Sequence, residues 1–168
     1  MSSQEHKAQA PATVTCMVIT VSDTRTEETD KSGQTMKQYL TEAGHRTVLY
    51  EIVKDEPAAI TAAIERGIQH PEVQVILLNG GTGISKRDTT YEAVEALLEK
   101  EMPGFGEIFR MLSYTEDIGS AAILSRAIAG VYRGKALFST PGSTGAVKLA
   151  MTKLILPELG HVVRELHK

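Results

Sequence analysis

VQVILLNGGTGISKRDTT, residues 73–90, decides how the fold is read. Its opening six residues are apolar apart from Gln74, the pattern of a strand buried on both faces. Gly80, Gly81 and Gly83 follow at once, and a helical pattern with Ala93, Val94, Leu97 and Leu98 on its inner side begins near residue 90 and runs to about 100. A buried strand passing through a glycine-rich turn into a helix is the joint of a parallel α/β sheet, whose ligands sit at the carboxyl ends of the strands. The glycines permit a tight turn and leave bare N–H groups, which form concave nests for anions. Thr82 and Ser85 add hydroxyls, and Lys86 and Arg87 add positive charge. The turn has neither the G-x-x-x-x-G-K-[ST] spacing nor a complete G-x-G-x-x-G. A plain βα turn with a basic rim is the competing reading.

Outward from this segment the same unit recurs. Residues 13–21 and 45–53 are β-branched and apolar, and read as strands. A helix over 31–43 separates them, with Met36, Tyr39 and Leu40 at helical spacing and Gly44 as its C-terminal stop. Asp55-Glu56-Pro57 opens a helix over about 58–69, with Ile60, Ile64 and Ile68 on one stripe. Towards the C-terminus, residues 104–114 look helical. The apolar runs 125–132 and 135–140, separated by Arg133-Gly134, suggest a hairpin. A last helix follows Pro141-Gly142-Ser143 and runs to about 166, kinked or split at Pro157. The expected architecture is α/β: right-handed βαβ units, a mostly parallel sheet with a hairpin, and helices on both faces.

The 168 residues fit one domain, 13–168, behind a polar, flexible tail over 1–12. With 42% hydrophobic residues, 23% charged residues and a formal charge of −3, the composition is that of a soluble globular protein. No basic block marks a nucleic-acid footprint, and no apolar run reaches the roughly 18 residues of a membrane span. One cysteine, Cys16, cannot form an internal disulfide, and no signal-peptide pattern opens the sequence. The expectation is a cytoplasmic protein. No His pairs with Cys or Glu at zinc-ligand spacing, and no G-x-S-x-G indicates a serine hydrolase.

Two acidic residues stand where chemistry could occur. Asp88 lies beside a helix start and suits either an N-cap or a metal- or proton-handling carboxylate. Asp55 follows another strand, so a parallel sheet would bring it to the same edge, again as a cap or as a site residue. Two carboxylates beside a phosphate nest are what Mg²⁺-assisted phosphoryl or nucleotidyl transfer requires. Ser22-Asp23 and Pro141-Gly142 end other strands and could line the same cleft, or could be ordinary turns.

The runs LNGGTGISKRDTTYEA, EMPGFGEIFR and AILSRAIAGVYRGKALFSTPGS, in this order, resemble the MoaB/MogA family of molybdenum-cofactor biosynthesis proteins, over about residues 13–160. The closing TPGST resembles the MoaB branch more than MogA. The resemblance implies a three-layer αβα molybdopterin-binding fold. It also implies adenylylation of molybdopterin with Mg-ATP, the pterin's phosphate attacking the α-phosphorus as pyrophosphate leaves. It places the important aspartates on Asp55 and Asp88, which would hold Mg²⁺. It places the substrate contacts on Ser22, Asp23, Gly80, Gly81, Thr82, Gly83, Ser125, Pro141 and Gly142, and it implies a homo-trimer or hexamer. The stretch from Ser139 to Thr144 and the Lys54 before Asp55 depart from the MogA pattern. A non-catalytic pterin-binding or scaffolding member of the same pathway is the alternative, although the presence of both aspartates favours a competent site.

Overall fold

The structure, a computed structural model, describes residues 2–168. Among these residues a six-stranded sheet has the order β2-β1-β3-β6-β5-β4. Its strands are β1 (Thr15–Val21), β2 (Arg46–Val53), β3 (Val75–Asn79), β4 (Lys100–Glu101), β5 (Ile128–Tyr132) and β6 (Lys135–Thr140). The first three and β6 run parallel, while β5 is antiparallel to both of its neighbours. The helices are α1 (Ser3–Ala8), α2 (Lys31–Glu42), α3 (Pro57–Gln69), α4 (Thr90–Leu97), α5 (Pro103–Glu116), α6 (Thr144–Ala150) and α7 (Leu156–Leu166). A 3₁₀ segment, Gly119–Leu124, follows α5.

Alternation along the central strands sends successive side chains into two separate cores. Cys16, Val18, Val75, Leu77 and Phe138 pack with α2, α5, α6 and α7. Met17, Ile19, Ile76, Leu78 and Leu137 pack with α3 and α4 on the other face. The near-continuous apolar runs are the consequence, because strands covered on both sides have no solvent face. Cys16 is a free thiol in the first core, and burial pushes its pKa up to about 12. No helix of the described residues is long and apolar enough to cross a membrane.

The hairpin forms as expected, with positive φ at both Arg133 (48°) and Gly134 (80°), the type I′ signature. The helix expected to run to about 100 stops at Leu97. There Leu98 turns extended and the Glu99 amide donates to Val131 O at 2.9 Å, which starts the two-residue strand β4. The last helix is divided at Pro157. Pro157 has no N–H to give, and Met151–Ile155 widens to a π-helical register in which the Leu156 amide reaches Met151 O.

The N-terminal stretch, expected as a flexible tail, carries the helix α1. Ser2 and Glu5 close a capping box around its start. Lys7 pairs with Glu158 at 2.6 Å, and Arg164 donates to Gln9, tying the segment to α7. Met1 lies outside the described residues.

Lys135 fixes the other end of the molecule. Its ammonium donates to the carbonyls of Gly67, Ile68 and His70 at 2.7–2.9 Å, satisfying the open C-terminal end of α3. Desolvation lowers its pKa. Lys135→Met should therefore lower stability by about 2 kcal/mol in urea unfolding, since three acceptors lose a charged donor. An unchanged midpoint would show that the helix end does not need this cap.

Candidate functional site

The chain winds outward from β1 in both directions, to β2 on one side and to β3 on the other. The loops after β1 and β3 therefore part at a topological switch point, the usual ligand crevice of an open α/β sheet. The glycine-rich turn lies across this point. Gly80 has φ +100° and Gly81 has φ +70°, both in the left-handed region that glycine tolerates best. The turn also lies in contact with its surroundings. A methyl group on Gly80 would stand 2.2 Å from Val21 O. On Gly81 it would meet Thr90 Oγ1 at 2.1 Å and Asp55 Oδ2 at 2.7 Å, and on Gly83 it would meet Asp88 Oδ2 at 2.6 Å. Both aspartates thus press directly on the turn.

Neither aspartate caps a helix. Asp55 stands one residue before Glu56, which begins α3 without a side-chain cap. Its Oδ1 instead receives the Thr89 amide at 2.9 Å and the Thr89 hydroxyl at 2.7 Å, and the residue is 6% exposed. Asp88 is likewise displaced from the cap of α4, a position that Thr89 occupies. Its Oδ2 accepts from the Ser85 amide and hydroxyl at 2.9 and 2.7 Å and closes the tip of the turn. Oδ2 of Asp55 and Oδ1 of Asp88 accept no hydrogen bond from the described residues.

The amides of Gly81, Thr82 and Gly83 donate to nothing within the described chain. Thr82 is 3% exposed, so its amide is a nearly buried donor awaiting a partner. The hydroxyls of Thr90 and Ser125 are also buried without a partner.

The remaining expected residues divide in two. Asp23 joins the aspartates: its Oδ1 accepts from the Asp55 amide at 3.1 Å, and Arg87 grips both of its oxygens at 2.9 and 3.0 Å. The Arg87 hydrogen bonds, foremost, hold the Asp23 carboxyl below the usual carboxylate range. Gly142 backs the turn: a methyl group on it would stand 3.1 Å from the Cα of Gly80. Ser22 is occupied locally, its hydroxyl accepting from the amides of Thr24 and Arg25. Pro141 contributes backbone, its carbonyl receiving the Thr140 hydroxyl at 3.1 Å.

Two features were not singled out from the sequence. One is a buried polar cluster beneath the turn. Asp30, 1% exposed, accepts from Thr20 at 2.7 Å, Tyr50 at 2.5 Å and the Gly33 amide at 3.0 Å. Asn79, the last residue of β3, joins in through Thr20 at 3.0 Å and Ser32 at 2.8 Å. Arg25 bridges Asp30, Ser32 and the carbonyl of Gly142. Asp30 is also the N-cap of α2. The other feature is Arg126, which sits beside the expected Ser125. Its guanidinium donates to Gly83 O at 2.8 Å and Asp88 O at 3.1 Å, and its amide donates to Thr82 O at 3.0 Å.

Two hollows share Arg126 as a wall. One of about 470 Å³ is lined by Pro57, Ile84, Lys86, Asp88, Thr89 and Arg126, among others. The second, about 370 Å³, is lined by Tyr91, Met102, Pro103, Arg110, Ser125 and Arg126, among others. The first has carboxylate and basic walls beside the unpartnered amides of the turn; the second combines an aromatic ring and apolar walls with polar side chains. Among the described residues no group of three or more His, Cys, Asp or Glu gathers to hold a metal ion.

The Gly81 contacts are tight enough to test. Gly81→Ala should cost at least about 2 kcal/mol from the left-handed backbone and the blocked position together. It should also weaken phosphate-ligand binding at temperatures where the protein remains folded. Full stability with unchanged binding would show that the turn has slack.

Comparison with known proteins gives a consistent result. Residues 17–161 match the family described as "Probable molybdopterin binding domain". Molybdenum cofactor biosynthesis protein B of Bacillus subtilis (strain 168) is 65% identical over 168 residues, covering 100% of this chain and 99% of the relative. A crystal structure of a molybdenum cofactor biosynthesis protein B superposes with a TM-score of 0.92 at 62% identity, covering 95% of this chain and 99% of the other. The tungsten cofactor synthesizing protein MoaB from Pyrococcus furiosus gives 0.84 at 38% identity, covering 95% and 100%.

Proposed function

The chain belongs to the molybdopterin-binding domain family of molybdenum cofactor biosynthesis proteins, and on that premise we propose that it binds molybdopterin and adenylylates it with Mg-ATP. One observation carries this reading: the unpartnered amides of Gly81, Thr82 and Gly83 lie against two carboxylates that each keep an oxygen free. Free amides suit phosphate oxygens, and free carboxylate oxygens suit a hard cation that the phosphates also bind.

Asp55 and Asp88 would hold Mg²⁺. The free oxygens, with the unpartnered Thr90 hydroxyl against the same glycine, fit that role as a set of hard donors. When bound, the ion neutralises phosphate charge and makes the α-phosphorus easier to attack. The chain's own residues do the positioning. The nucleotide occupies the hollow beside Asp88, with Lys86 facing its phosphates. The pterin lies between Tyr91, Met102 and Pro103, where the unpartnered Ser125 hydroxyl awaits a ring or phosphate oxygen. The pterin's terminal phosphate then meets the α-phosphorus in line over the glycine turn, a new P–O bond forms, and pyrophosphate departs with the bonding pair. The reaction belongs in the cytoplasm, in keeping with a lone, buried, reduced cysteine.

Anaerobic incubation with molybdopterin and Mg-ATP should release pyrophosphate and yield the adenylylated pterin. Asp88→Asn should retain pterin binding but slow pyrophosphate release by about 100-fold or more. Wild-type protein that binds the pterin without releasing pyrophosphate would establish the binding-only alternative instead.

The same reading includes a homo-oligomer, a trimer or hexamer. Its support is a set of exposed apolar residues on α5, the 3₁₀ segment and the junction between them, where Met111 is 56%, Tyr114 60%, Ile118 51% and Ile123 82% exposed. Light scattering should give three or six times the chain mass, and Met111→Asp combined with Ile123→Asp should give monomers. Wild-type monomers at micromolar concentration would remove the oligomer from the proposal.

A further inference from the structure

Arg126 lines both hollows. It is also bound into the glycine turn: its amide and guanidinium together hold the carbonyls of Thr82, Gly83 and Asp88. In a planar trans peptide the N–H points opposite to the C=O, so holding the Thr82 carbonyl turns the Gly83 amide away from Arg126. Its remaining edge pairs with Glu92, another wall of the nucleotide-side hollow, while its plane stands 5.2 Å from the ring of Tyr91, a wall of the pterin-side hollow. The Arg126 hydrogen bond, foremost, holds the Glu92 carboxyl below its ordinary range. One rigid, planar fork therefore touches the anion nest, the acidic rim of one hollow and the aromatic wall of the other. A lysine supplies the charge of such a group but not its five fixed donors.

We propose that Arg126 is a positioning residue that couples the two hollows, so that a ligand in either one fixes its guanidinium, sets the glycine turn and tightens binding in the other. The proposal rests on the two-ligand reading above but concerns binding, not turnover. A ligand in the pterin-side hollow restrains Tyr91 and the guanidinium plane. A phosphate in the nucleotide-side hollow draws the guanidinium edge away from Glu92. Either event orders the same carbonyls, and the second ligand finds the amides already aimed. Coupling of this kind is reciprocal, so each ligand improves the affinity of the other by the same factor.

The test is equilibrium calorimetry under anaerobic conditions with two probes, molybdopterin and the Mg²⁺ complex of α,β-methylene-ATP, which cannot release pyrophosphate. In wild-type protein each probe should tighten the other by about fivefold or more. In Arg126→Lys that factor should fall to near one while each separate affinity falls far less. A merely structural role would instead weaken both affinities and leave the factor intact. Glu92 is 58% exposed at its side chain, so Glu92→Gln spares the fold while removing the charge and one of the two acceptors that hold the guanidinium edge, and should also change the factor. If Arg126→Lys fails to fold, Glu92→Gln decides: an unchanged factor overturns the proposal. Binding of both probes to wild-type protein without coupling overturns it too, and leaves the adenylylation reading standing. Failure of the wild type to bind the nucleotide probe overturns both.

Discussion

Close approach of backbone to oxygen at the carboxyl edge of the sheet is the constraint on which the site depends. Gly80 lies against the carbonyl of Val21, Gly81 against Asp55 and Thr90, and Gly83 against Asp88. A side chain at any of these positions would push apart groups that need to be adjacent. In the same turn three consecutive amides, those of Gly81, Thr82 and Gly83, find no acceptor among the described residues. Conformational freedom, room for two carboxylates and unsatisfied donors thus come from the same few residues.

Beneath this turn the sheet edge is held by polar groups, which is unusual so deep in a molecule whose two cores are otherwise apolar. Asp30, Thr20, Ser32 and Asn79 are each at most 1% exposed. A buried carboxylate is tolerable only when its lone pairs are met, and Asp30 has Thr20, Tyr50, the Gly33 amide and Arg25 to meet them. The network joins the ends of β1 and β3 to the start of α2 and, through Arg25, to the Gly142 turn. It fixes where the loops leave the sheet, a direction that apolar packing alone specifies poorly.

Much of this was legible in the sequence, for local reasons. The central strands announce themselves because burial on both faces removes every polar alternation, and the glycine turn because three glycines follow such a strand directly. The mostly parallel sheet and its hairpin follow from the spacing of those runs. What stayed hidden depends on distant partners. Asp30 and Asp55 each stand beside a helix start, where an acidic residue is ordinary, and only the fold shows that Asp55 is taken by Thr89 and Asp30 by Tyr50. Arg126 passes for a surface charge until its three carbonyls, from 38 to 44 residues away, are brought to it. Strand β4 is two residues long and exists only because β5 is there to pair with it. The N-terminal helix takes its support from α7, at the opposite end of the chain.

The order of the strands has a consequence for how the protein matures on the ribosome. The glycine turn belongs to β3, yet the wall behind it, Gly142, follows β6, more than sixty residues later, and β3 and β6 are direct neighbours. Contacts of such high sequence separation form late, because the intervening loop must be closed before they gain anything. A nascent chain that has emerged only as far as α5 carries the turn without its backing, so the turn can take its final shape only when nearly the whole polypeptide has been synthesised.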